Sequence, residues 1–388
     1  CKAYPLELVE ALQACMSATG AKKGVFALKE KYQKSRAALE RATDGHDQLS
    51  VHAMGNYYPA GDEHVLVHDV MGRVVPEGGL PLHVGAVVIN VETLYNVYRA
   101  LQGRPVTDTY VTVCGAVAQP STLRLPVGTS IEYALEAVGG VTCDDPVVIH
   151  GGPVMGSLIS MEAPVTKLTK GLVVLPQDHP HVRRRSLAAH VSMERAITAC
   201  CQCRQCTDMC PRALLGHAIA PHKMMRAFGY ALTKDTDAWS AAFLCSDCGV
   251  CDTFACEAGL SPRQVFQAVK AELAAAGVKN PHHAAPQPQS ELPWRRVPTD
   301  RLIWRMGLAD YLAEAPLVAE VLEPVLVKVP LKQNVGAAAV PVVEVGVQVS
   351  RGQLVAEPPP KALGARHHAS IDGTVIALGD EVTISREG

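Results

Sequence analysis

No stretch of this sequence approaches the ~20 consecutive apolar residues that a membrane-spanning helix needs. An excess of charge of either sign is missing too: 36 Lys and Arg stand against 38 Asp and Glu, a net of −2. That balance gives no global attraction to nucleic acid or to an anionic membrane surface. With no secretory segment in the given sequence and an odd number of cysteines in tight clusters, metal in a reducing compartment is expected rather than disulfides. What the chain does have is hydrophobic residue, 48% of 388 positions, enough for real cores in roughly two to four domains. It starts at Cys1 rather than Met, in what reads as the approach to a helix. An N-terminal piece is expected to be missing.

Cysteine is where the sequence is rich. Eight of its thirteen cysteines fall into two close runs. The first is Cys200, Cys203, Cys206 and Cys210, followed by Pro211; the second is Cys245, Cys248, Cys251 and Cys256. The first reads C-x2-C-x2-C-x3-C-P, the spacing that wraps three thiolates around one 4Fe–4S cube and sends the fourth to a second cube. A tight loop with a cysteine at every third position points three sulfurs inward and does not easily reach the fourth iron. One cluster is therefore expected on Cys200, Cys203, Cys206 and Cys256. The other is expected on Cys245, Cys248, Cys251 and Cys210. Pro211 suits the first position of a helix, where its missing N–H costs nothing. The spacing of Leu214, Leu215, Ile219, Met224, Met225 and Phe228 predicts a helix over residues 211–230 beside the clusters.

The second run departs from the pattern, with four residues between Cys251 and Cys256 and Glu257 where proline usually follows. Cys201 fits no x2 spacing and reads as a bystander. Zinc is the plainer alternative, since two C-x2-C pairs hold one tetrahedral ion. Eight cysteines in triplet-plus-one runs exceed that need, and the C-P ending has no role at zinc.

Along the chain, residues 1–107 alternate helix and strand, which argues a sheet covered by helices. Helical spacing runs over 6–19, 32–41 and 92–101, and strands are expected at 24–28 and, buried, at 85–91. Residues 108–180 read as a small β-grasp-like unit. Its strands fall at 110–117, 123–127 and 147–149, and a helix over 131–138 is capped by Thr129/Ser130 and closed by Gly139-Gly140. Arg183–Arg185 read as a solvated basic connector within 181–190, opening the 181–275 cluster domain, whose helical part is 191–275. Residues 276–319 begin as a proline-rich linker, with His282 and His283 expected to be solvated. Residues 320–388 are all-β, with strands at 340–345, 353–356 and 373–378. That pattern resembles the sandwich of biotinyl and lipoyl carriers. Lys361 lacks the flanking residues a carrier lysine needs, so a structural or docking sandwich is expected.

The order of these pieces, with Tyr58-Pro59-Ala60-Gly61-Asp62-Glu63, Asn90-Val91-Glu92-Thr93-Leu94, Gly151–Gly156 and both cysteine runs, resembles the RnfC-like electron-transfer family. This family is related to the flavoprotein subunit of respiratory complex I. The C-terminal position of the sandwich matches the branch made of cobalamin reductases of the propanediol-utilisation microcompartment. The resemblance covers nearly the whole chain. It implies a multidomain α/β plus α+β architecture: a Rossmann-like flavin/NADH domain that is N-terminally incomplete, a β-grasp SLBB domain, an α-helical ferredoxin domain with two 4Fe–4S clusters, and a C-terminal barrel-sandwich hybrid.

The resemblance also implies a function. NADH would give hydride to FMN, and electrons would pass singly through the clusters to cobalamin, keeping a B12-dependent diol dehydratase active. The alternative is delivery to a ferredoxin, a quinone or across a microcompartment shell; a purely structural role for the clusters is a third reading. Asn90 and Thr93 match the motif lining the flavin site, and Asp62 and Glu63 match the loop near the nicotinamide. Read without the resemblance, residues 59–62 are a turn and 90–93 cap a helix. The family's G-x-G-G-x-G-F-P loop is expected upstream of residue 1; without it FMN is expected to bind this chain weakly or not at all, whereas complete chains are expected to bind both FMN and NADH. No D-x-H-x-x-G motif occurs, so corrinoid contact would be transient. Expected partners include an adenosyltransferase and other microcompartment enzymes or shell proteins. The expected location is a microcompartment in the cytoplasm.

Overall fold

The computed structural model describes residues 1–387. They form two compact units, one of residues 1–95 and 184–308, the other of 96–183 and 309–388.

The first unit opens with the helix Pro5–Thr19, which starts on proline and ends at Gly20 in the left-handed conformation. Strands Gly24–Lys29 and Leu49–Met54 pair in parallel, with the helix Gln33–Thr43 as their crossover. Leu8, Val9, Phe26 and Leu39 are buried. The helix Glu63–Met71 follows the short strand Tyr57–Tyr58, which pairs with Val297–Pro298. The buried strand expected at 85–91 does not form. A 3-10 turn occupies Pro81–Val84, and residues 86–90 pair with no strand among the described residues. Val87 is 63% exposed. A β-branched run favours extended backbone, but only a neighbouring ladder makes it a strand. The helix Val91–Leu101 then begins as expected.

The cysteine-bearing part of this unit is helical: Ala189–Ala199, Gln205–Asp208, Pro211–Leu214, Pro221–Gly229, Thr236–Ser240 and Pro262–Ala275. Met224, Met225, Val265 and Phe266 form its core. The single helix expected over 211–230 is two. Gly216 breaks it at φ +90°, where a Cβ would stand 1.9 Å from the carbonyl oxygen of Gln287; Pro221 starts the second piece. Arg183–Arg185 are helical, within Pro180–Arg185. Arg185 is partly buried, and its guanidinium is pushed down first by burial and then by the charge of Arg263, against Asp252, Asp247 and Tyr58. The proline-rich segment is packed as well. Gln289 donates its N–H to Leu214, and Glu77 donates to Ala284. His282 lies 3.0 Å from the Ser240 hydroxyl and 3.8 Å from Glu77, so it is not free in solvent.

The second unit is built on a six-stranded mixed sheet. Its order is Leu317–Val321, Ser121–Pro126, Asp108–Gly115, Gly171–Pro176, Pro146–His150, Ser157–Ile159. The helix Ile131–Glu136 is capped by Ser130, which accepts from the N–H of Tyr133. Thr129 instead bonds back to Pro126. Val111, Val113, Leu123, Ile131, Leu135 and Val174 fill the core. Leu317–Val321 lies in this sheet, paired in parallel with Ser121–Pro126, and not in a linker ahead of the sandwich. The sandwich itself has a four-stranded and a three-stranded sheet closing on Val327, Val329, Val355, Val375, Val382 and Ile384. The strand expected over 340–345 is confined to Val340–Pro341.

Candidate metal centre

Two loops carry the first three cysteines of each run, and their backbones repeat one path. In the first, Gln202 and Arg204 have positive φ, 58° and 67°; in the second, Asp247 and Gly249 do, at 60° and 73°. These are the second and fourth residues after the leading cysteine in both loops. A left-handed residue between each pair of cysteines reverses the chain, so the path can turn successive side chains to one side. Sulfurs also receive donors. Gln202 Nε2 lies 3.2 Å from Cys200 Sγ, Asp247 N lies 3.4 Å from Cys245 Sγ, and Leu260 N lies 3.4 Å from Cys256 Sγ.

The fold groups the eight thiols across the two runs. The Cys206 thiol is pushed up to about 12, first by burial and then by Cys256, Cys200 and Cys203. The Cys251 thiol is raised by burial and by charges that include Cys245, Cys248 and Cys210. Burial, then Cys210, raises Cys248 in the same way. Cys256 thus stands with the first triplet, and Cys210 with the second. Residues Cys251–Ala255 form a π-type turn, which takes up the extra residue before Cys256. Among the described residues, no three His, Cys, Asp or Glu side chains converge as tightly as one metal ion requires. A zinc would hold its thiolates at about 2.3 Å from one centre; a cube spreads them over four irons. Two cubes would take one set of four thiols each, and their binding would replace the protons that burial favours.

Charged groups surround the second set. Arg263 pairs with Asp247 through Nε at 2.7 Å and Nη2 at 3.1 Å. Burial pushes the Asp252 carboxyl up, against hydrogen bonds from Thr253 and Ser261. The Tyr58 phenol donates to the carbonyl of Cys248 at 2.7 Å.

Of the residues matched to the flavin and nicotinamide sides, Asp62 caps the helix Glu63–Met71, accepting from His64 and Val65, and pairs with Arg212. Glu63 opens that helix, exposed. Asn90 accepts from the N–H of Glu92 at 2.9 Å, and Thr93 is exposed. No hydrogen bond or ion pair joins 62–63 to 90–93 among the described residues. Sequence reasoning missed Arg212, Arg263 and the buried pair His64 and His217, whose rings lie 5.3 Å apart. Arg212 had one local signal, its place directly after the C-P ending; the others had none.

Four family models match the chain: the Nuo51 FMN-binding domain over residues 1–99, the SLBB domain over 110–157, the 4Fe-4S dicluster domain over 199–261, and the RnfC barrel sandwich hybrid domain over 311–388. A cobalamin reductase PduS of Salmonella typhimurium is 45% identical over 98% of this chain and 84% of its own length. That of Citrobacter freundii is 42% identical over the same shares. A component of the Na(+)-translocating ferredoxin:NAD(+) oxidoreductase complex of Acetobacterium woodii is 28% identical over 53% of this chain and 44% of its own length.

Proposed function

The chain belongs to the family of the cobalamin reductase PduS, and we propose that it carries electrons from NADH, through FMN and two 4Fe–4S clusters, to cobalamin. It is an electron-transfer oxidoreductase with flavin and iron–sulfur domains. The crossed grouping of thiols, Cys256 with Cys200, Cys203 and Cys206, and Cys210 with Cys245, Cys248 and Cys251, supports a two-cluster relay, and the likeness to the cobalamin reductases supports the acceptor. Sharing a ligand across each run would hold two clusters in one helical body, as a relay needs. Bound FMN would convert a two-electron donor into single electrons. The chain's own part is to fix the sulfurs, shield the second set, and tie the 57–63 loop to it through Tyr58 and Asp62.

No helix among the described residues is long and apolar enough to cross a membrane. We place the protein in a microcompartment of the cytoplasm, beside enzymes that use the corrinoid, such as an adenosyltransferase. Anaerobic purification with iron, sulfide and zinc analysis tests the reading. About eight irons and eight sulfides per chain, clusters reduced by NADH, and NADH-dependent formation of cob(II)alamin are the expected results. Zinc without sulfide would overturn it. Clusters that dithionite reduces and NADH never does would leave them a structural role.

A further inference from the structure

The two cysteine sets differ in what surrounds them. One cavity has Cys210, Cys245, Cys248 and Cys251 in its wall, and Arg212 and Arg263 stand in the same wall. Cys210 and Cys248 are buried, and both arginine side chains are only 11% exposed. In the other set Cys203 is exposed. Arg204, next in the chain, and Arg305, which donates to the carbonyl of Cys256, are exposed as well. Water screens charges placed like these two; it screens the buried Arg212 and Arg263 far less.

Each buried arginine has a carboxylate partner outside that wall. Arg212 Nη2 lies 3.1 Å from Asp62. Arg263 holds Asp247 through Nε at 2.7 Å and Nη2 at 3.1 Å. Neither Asp62 nor Asp247 lines the cavity. The two ion pairs therefore point the same way, cation toward the thiols and anion away from them. Four thiolates already gather negative charge in this cavity, and one-electron reduction of a bound 4Fe–4S cluster adds one more. Burial alone disfavours that added charge. A fixed cation in the wall favours it, and does so more strongly in a shielded site than in water. Net charge and solvent exposure are among the levers that set a cluster's potential.

We propose that Arg212 and Arg263 raise the reduction potential of the cluster held by Cys210, Cys245, Cys248 and Cys251, and that Asp62 tempers the effect of Arg212. This rests on the function proposed above. Neither arginine is a ligand or a proton carrier. Their part is to fix positive charge at the cavity wall, offsetting what the burial of this set takes from its readiness to accept an electron. The Asp62 side chain is 9% exposed and that of Asp247 40%, so Asp62, the less screened carboxylate, opposes its arginine more.

The test is an EPR redox titration of the full-length holoprotein, prepared without oxygen. A Cys203→Ala background leaves the set with the two arginines as the one with all four thiols, so the surviving signal reports its midpoint. On that background Arg263→Gln should lower the midpoint by about 59 mV, a tenfold loss in the equilibrium constant for one electron. Arg263→Lys, which keeps the charge, should recover most of that loss. Asp62→Asn, which keeps the helix cap and leaves Arg212 uncompensated, should raise the same constant several-fold. The signal of the other set, read in a Cys248→Ala background, should stay in place in all three variants. A midpoint that Arg263→Gln does not lower, or that Asp62→Asn does not raise, overturns the inference and leaves the proposed function standing. So does a fall of equal size in Arg263→Lys, which would assign the effect to packing. Wild-type protein with zinc and no sulfide overturns the proposed function, and this inference with it.

Discussion

Asp62 and Arg212 stand 150 residues apart in sequence and 3.1 Å apart in space. Their side chains are 9% and 11% exposed, so the pair is shielded, and Arg212 Nε is buried without a hydrogen-bond partner. Removing one partner of a buried pair typically costs about 3–5 kcal/mol, and losing the helix cap costs about 1 kcal/mol more. Asp62→Ala should therefore lower the melting temperature markedly, and Asp62→Asn, which keeps the cap, should lower it less. Equal melting of both variants and the wild type would show that the pair is not a tie between the two segments.

The proposed crossed ligand sets make a distinct forecast for Cys210 and Cys256. Each substitution to Ala should remove about four irons. The EPR spectrum of Cys256→Ala should match that of Cys203→Ala, and Cys210→Ala should match Cys248→Ala. Matching by position along the chain, with Cys210→Ala resembling Cys203→Ala, would refute the crossing.

Asp108 is buried beneath three guanidinium groups: Arg124 at 2.6 Å, Arg351 at 3.0 Å and Arg99 at 3.1 Å. Burial alone would push its carboxyl up, but the hydrogen bond from Arg124 and the charges of Arg99 and Arg124 hold it below the usual range. The unfolded chain takes the proton first as pH falls. The stabilisation is thus complete above about pH 4 and is lost as pH drops through the folded value. Asp108→Asn should destabilise the protein at pH 7 and flatten the acid limb of its stability curve. Urea unfolding at pH 7 and pH 3 measures both; an unaltered acid limb would remove Asp108 from its cause.

His64 and His217 are both pushed down to about 4, first by burial and then by the charge of Arg212. Folding keeps them neutral while the unfolded chain binds protons below about pH 6.5. Stability should be full above that value and fall as pH drops toward about 4, where the folded imidazoles also protonate. Replacing both by Gln should shallow the slope of the urea midpoint between pH 6.5 and pH 4. A double variant with the wild-type slope would assign that slope to other groups.

Much of this architecture was readable from local signals. The helix Pro5–Thr19, the strand Gly24–Lys29, the Ser130 cap and the Gly139-Gly140 closure, both at positive φ, follow from spacing and turn chemistry. The failures share one cause. Residues 85–91 have strand composition without a partner, and residues 211–230 have helix spacing broken by a backbone contact from Gln287. The segment after 276 looked like a linker because its partners, Leu214 and Glu77, lie far away in sequence.

The sequence by itself determined the eight thiols and their spacing, because a loop of three residues per cysteine has little freedom. Only the tertiary structure decided which set is shielded and which is open. It also decided that Asp62 meets Arg212, and that Asp108 takes its third arginine from 243 residues away. Those outcomes depend on closing long loops around a buried core, where the entropy of closure grows slowly with length. Desolvation then fixes which charges must meet.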